Sequence, residues 1–88
     1  MKNPLSRRML ELLWSLGHGR ELHFTRGGHF RLLRDGCLET IVYSHTVAGL
    51  LDRELIRLDH STGQRTYRLT EEGKKVAGLL ESQKVVNQ

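Results

Sequence analysis

The stretch Ser44–Leu69, SHTVAGLLDRELIRLDHSTGQRTYRL, decides how the rest of the chain is read. Ser44 is placed as an N-cap whose hydroxyl accepts from the free amides of a first helical turn, and Val47, Leu50, Leu51 and Leu55 then recur at helical spacing. This predicts a helix running to Arg53 or Glu54 with one apolar stripe. Beyond it, Leu55-Ile56-Arg57-Leu58 and Thr66-Tyr67-Arg68-Leu69 are strand-like runs. Between them, Asp59 to Arg65 is rich in turn formers and contains Gly63, which takes positive φ without penalty. The expectation is a helix feeding a β-hairpin.

Toward the N-terminus, Asn3-Pro4 is suited to open a first helix, with Asn3 as N-cap and Pro4 at the first helical position. Leu5, Met9, Leu12, Leu13 and Leu16 fall on one face of that helix. Either Gly17 or Gly19 can supply the left-handed residue that ends it. From Glu21 the period changes to two: Leu22 and Phe24 alternate with His23 and Thr25, and Phe30 and Leu32 alternate with His29 and Arg31 across a turn at Arg26-Gly27-Gly28. This is a second hairpin. Asp35-Gly36 is the strongest short turn signal in the sequence, and it allows Cys37–Val42 to return as a third strand.

Toward the C-terminus, Thr70 is a good N-cap, and Glu71 and Glu72 complement the positive end of a last helix. Val76, Ala77, Leu79 and Leu80 form its apolar face. Gly73 and Gly78 weaken it intrinsically by about 1 kcal/mol each relative to Ala.

The chain has 88 residues, of which 38% are hydrophobic and 27% charged. That suits one small α+β domain, expected over residues 1–84 with a frayed tail at 85–88. No apolar run is long enough to span a bilayer, and Arg7 and Arg8 interrupt any signal-peptide core, so a cytoplasmic protein without membrane contact is expected. The single Cys37 excludes an intramolecular disulfide, and a buried free thiol is its plainer reading. The formal charge of +4 and a pI near 9.7 favour an anionic partner such as nucleic acid.

The run TVAGLLDRELI, the Gly-containing polar tip and Tyr67-Arg68-Leu69-Thr70-Glu71-Glu72-Gly73 together resemble the second half of a winged helix-turn-helix domain. The likeness is to MarR-type regulators and small phage or prophage winged-helix proteins, and it covers about half of the chain. It implies a winged-helix fold with three helices, a β-hairpin or meander after the first helix and a C-terminal wing hairpin. One departure lies in the first half, where strands occupy the place of the usual second helix. Another is Glu54, where such domains commonly carry Gly; if the position demands a left-handed backbone, Glu costs on the order of 1 kcal/mol.

The function implied is sequence-preferring binding of double-stranded DNA by a small transcriptional regulator, with the middle helix in the major groove. Ser44, His45, Thr46, Ala48 and Gly49 would then face the bases, and Arg53 a phosphate. The resemblance places Arg65, with Gln64 beside it on the wing, against the minor groove or a phosphate; the rival reading pairs Arg65 with a cross-strand partner such as Asp59. Residues 1–36 hold the whole excess of positive charge, whereas residues 37–69 carry four Arg against four acids. Arg20, Arg26, Arg31 and Arg34 on the first hairpin are therefore further candidates for phosphate contact. The alternative is a protein-interaction module, of the kind a phage uses against a host protein. Many such domains form homodimers, and the last helix, with Leu79 and Leu80, is the expected contact.

No enzyme is expected, since the chain lacks a phosphate loop, a nucleophile elbow and paired carboxylates in a recognisable setting. His23 and His29 can face each other across the first hairpin near Cys37, but without ligand spacing or a fourth ligand; neither metal nor cofactor is expected.

Overall fold

The computed structural model describes residues 4–61 and 65–86, with side chains to residue 80. Its elements run in the order α1 (Arg7–Leu16), β1 (Glu21–Phe24), β2 (Phe30–Arg34), β3 (Cys37–Val42), α2 (Ser44–Asp52), β4 (Ile56–Asp59), β5 (Thr66–Leu69) and α3 (Glu71–Val86). The five strands form one antiparallel sheet in the order β3-β2-β1-β5-β4.

This layout overturns the winged-helix expectation. Three strands, β1 to β3, stand between α1 and α2, and β5 pairs with β1, Leu22 opposite Tyr67 and His23 opposite Thr66. The β4–β5 hairpin is thereby built into the sheet. The element before α2 is strand β3, so no helix-turn-helix forms. The physical cause lies in the apolar alternation of both hairpins. Leu22 and Phe24 on β1, and Tyr67 and Leu69 on β5, each need a covered face, and pairing the strands lets one set of helices cover both.

Register places Ile56, Leu69, Tyr67, Leu22, Phe24, Phe30, Leu32 and Val42 on one face of the sheet. The helices pack there. Leu12 and Leu13 of α1, Val47 and Leu50 of α2, and Leu22, Leu32, Leu55 and Ile56 form the buried cluster, with Val76 and Leu80 of α3 against it. Each such aliphatic side chain contributes about 1.5–3 kcal/mol relative to exposure. The opposite face carries Glu21, His23, Arg31, Arg57 and Arg68.

Several boundaries differ from the sequence reading. Helix α1 begins at Arg7 because Ser6 is its cap, accepting from the Met9 amide at 3.2 Å; Asn3 lies outside the described residues. Of the two candidate glycines, Gly19 takes the left-handed backbone (φ 84), while Gly17 stays right-handed. Ser44 is the first residue of α2, and the cap position belongs to Tyr43, whose side chain makes no capping bond. Thr70 does cap α3, accepting from the Gly73 amide at 3.1 Å. Asp35 and Gly36 both have positive φ (53 and 80), the backbone of a type I′ turn. They deliver β3 against β2, with a bulge at Glu39, since Leu32 faces Thr40 and Leu33 faces Leu38. Among the described residues no helix is long and apolar enough to cross a membrane.

Candidate nucleic-acid interface

Helix α2 does not present the side chains expected of it as a set. Thr46 is buried, and Gly49 lies under the Met9 side chain of α1, so neither faces outward. Arg53 is half-buried and donates from a guanidinium nitrogen to the Gly49 carbonyl at 3.0 Å. Ser44, His45 and Ala48 remain exposed, together with Leu51 and Asp52. His45 stacks on Tyr43 with ring centroids 5.7 Å apart, and the Arg8 guanidinium sits 4.6 Å above the same Tyr43 ring.

Gln64 lies outside the described residues. Arg65 is exposed, its guanidinium carbon 5.6 Å from the Phe24 ring, at the rim of an aromatic cluster of Phe24, Phe30 and Tyr67. Asp59 pairs with Arg68 instead of Arg65. Arg26, in the β1–β2 turn, and Arg31, on β2, are both exposed. His23 faces Arg31 and not His29, and its Nε2 lies 3.2 Å from Glu21 Oε2. Cys37 is exposed rather than buried. Among the described residues no three His, Cys, Asp or Glu side chains come together as a metal would require.

The structure gathers a different set of cations. Where β1 begins and β5 ends, a cleft of about 290 Å³ is lined by Arg20, Arg57, Arg68 and Lys74, with Glu21 among them and Leu16 and Leu69 supplying apolar wall. Four elements or their flanks meet there: the α1–β1 connection brings Arg20, the β4–β5 hairpin brings Arg57 and Arg68, and the first turns of α3 bring Lys74.

Each cation is held differently. Arg68 donates from Nε to Asp59 Oδ2 at 2.6 Å. Asp59 also accepts from the Ser61 hydroxyl at 2.6 Å and the Ser61 amide at 2.9 Å. The Ser61 hydrogen bonds, then the Arg68 bond and charge, hold its carboxyl well below the usual carboxylate range. Arg20 donates to the His18 carbonyl at 3.2 Å and lies 3.6 Å from Glu39. Lys74 lies 3.6 Å from Glu71 on its own exposed helix turn.

Arg57 faces Arg68 directly across the hairpin. Like charges directly opposite each other repel, and the Asp59 carboxylate that holds Arg68 offsets part of that repulsion. Arg20, Arg68 and Lys74 each have a carboxylate partner, Glu39, Asp59 and Glu71, and the arginines of the concavity offer paired donors suited to phosphate oxygens.

No protein-family model, curated protein or solved structure matches this chain. The cleft therefore stands on its own geometry. Arg57, Arg68 and Lys74 are absent from the residues that sequence reading singles out, although one signal for two of them was available. Aligning Leu55–Leu58 with Thr66–Leu69 as a hairpin puts Arg57 and Arg68 on the same face. Summing charge by segment hid this, because both arginines cancel against Asp52 and Glu54, which lie on other elements.

Proposed function

We propose that the protein binds double-stranded DNA, with the cleft of Arg20, Arg57, Arg68 and Lys74 gripping the phosphate backbone. The observation that carries this reading is the gathering of Arg20, Arg57, Arg68 and Lys74 around one concavity, with Arg57 facing Arg68 across the hairpin. Asp59 holds Arg68, and phosphate oxygens can accept from the Arg57 guanidinium beside it. The overall charge of +4 supports the same partner. Contacts to phosphate position a protein on the duplex without reading its sequence. The grip should therefore act on any duplex, whatever preference the exposed Ser44, His45 and Ala48 add.

The test is binding of a short labelled duplex followed by fluorescence anisotropy across a salt series. Each neutralised phosphate contributes a slope of about −0.9 to log K against log salt. Arg57→Gln and Lys74→Gln should each weaken binding and reduce that slope by about 1, with unchanged circular dichroism. Absence of binding at low salt would overturn the function. Binding that is insensitive to both substitutions but lost with Arg26→Gln and Arg31→Gln would remove the cleft and place the contacts on the β1–β2 hairpin.

A further inference from the structure

The two edges of the sheet are built differently. Edge strand β4 is four residues long and carries Arg57 and Asp59, the kind of charge that discourages another strand from pairing. Edge strand β3 is the longest of the five, at six residues, and its only charged residue is Glu39, which lies 3.6 Å from Arg20 of the same chain. Leu38, Ile41 and the adjoining Tyr43 are 54%, 55% and 57% exposed. An open row of backbone donors and acceptors beside exposed aliphatic side chains is a template for a further strand.

We propose that this strand is a second copy of the same chain, joined antiparallel through β3 to give a continuous ten-stranded sheet. The register of β3 supplies the argument. Without a bulge, Leu38 and Ile41 would point to opposite faces, because side chains alternate along a strand. The bulge inserts one residue, so Leu38, opposite Leu33, and Ile41, opposite Arg31, emerge on the same face, while Glu39 and Thr40 point to the other. The pattern is then symmetric about the Glu39–Thr40 bond. Read backwards, it matches itself.

Antiparallel pairing about that point sets Leu38 against Ile41 of the second copy and Glu39 against its Thr40, apolar beside apolar on one face and polar beside polar on the other. Shifting the register by one residue sets Glu39 against Glu39, or an outward side chain against an inward one. Two-fold symmetry of this kind makes the contact close on itself instead of propagating. Arg57 and Arg68 lie on β4 and β5, at the far side of the sheet from β3, so the seam does not bring those two arginines together with their copies. One strand pair with few apolar side chains is the scale of a reversible dimer, below the area of obligate ones.

Sedimentation velocity on the full chain over a concentration series should show a monomer–dimer equilibrium. Leu38→Lys with Ile41→Lys should abolish the dimer over the same range, as should Leu38→Glu with Ile41→Glu. Mixing the two variants should restore it, because the register then sets every introduced lysine opposite an introduced glutamate. In a Cys37→Ser background, Leu38→Cys with Ile41→Cys should give a covalent dimer on mild oxidation; residues three apart along one strand lie too far from each other to bridge within a chain. A monomer at every concentration overturns the proposal and leaves the edge to a strand of another protein. A dimer that survives the double-lysine change but is lost with Leu79→Lys overturns it in favour of α3. Failure of the mixed variants to associate overturns the register.

Discussion

Glu54 is the residue on which the exit from α2 turns. Its φ is 57, its amide donates to the Leu51 carbonyl at 3.0 Å, and the next amide, of Leu55, donates to the Leu50 carbonyl at 3.0 Å. These bonds form a Schellman motif in which Glu54 holds the left-handed position that Gly occupies without cost. The condition attached to this residue in the sequence is met. Glu54→Gly should stabilise the fold by about 1 kcal/mol, seen as a higher urea midpoint at unchanged slope. Asp59 offers a second prediction at this scale. Its carboxyl titrates from an ordinary 3.8 in the unfolded chain to a lower value in the folded one, so its stabilisation is complete above about pH 4 and erodes as pH falls below that. Asp59→Asn should destabilise the protein at neutral pH, and the gap between variant and wild type should close in acid denaturation scans.

Helix α3 shows how one residue type serves opposite ends within one element. Sequence alone assigns the same weakening to Gly73 and Gly78. In the fold a Cβ on Gly73 would run into the Leu55 carbonyl and lie 3.1 Å from Leu69 Cδ2, whereas nothing lies within 4 Å of one on Gly78. Gly73 is what lets the first turn of α3 press against the end of α2, where Thr70 donates to the Glu54 carbonyl at 2.6 Å. Gly73→Ala should therefore cost about 2–3 kcal/mol, as an overpacked site does. Gly78→Ala should gain about 1 kcal/mol; paired thermal melts of the two variants check both. Local elements were legible for the same reason that this contrast was not. Caps, turns and periodicity are written within a few residues, as with Asp35-Gly36 and Thr70, while the space around Gly73 is set by Leu55, far from it in sequence.

At the scale of the molecule, the strands and helices were readable but their assembly was not. The segment Tyr67–Gly73 has the local pattern of a wing strand entering a helix, and a local pattern of that kind fits more than one architecture. What distinguishes them is the order of elements, with the three strands β1 to β3 between α1 and α2 in one five-stranded sheet. The charge followed the same course. Summed along the chain, the excess lies in residues 1–36; arranged in space, Arg20 from that region meets Arg57, Arg68 and Lys74 from the remainder.

The strand order carries one more consequence, for how the chain reaches this state. Strands β1, β2 and β3 follow one another as neighbours, and so do β4 and β5. Each group is contiguous in sequence, with little loop entropy to overcome before its contacts form. The pairing of β1 with β5, Leu22 opposite Tyr67 and His23 opposite Thr66, joins strands distant in sequence. On loop entropy alone, the two hairpin-built groups are expected to form before the β1–β5 seam, whose closure gives α1 and α3 a common surface.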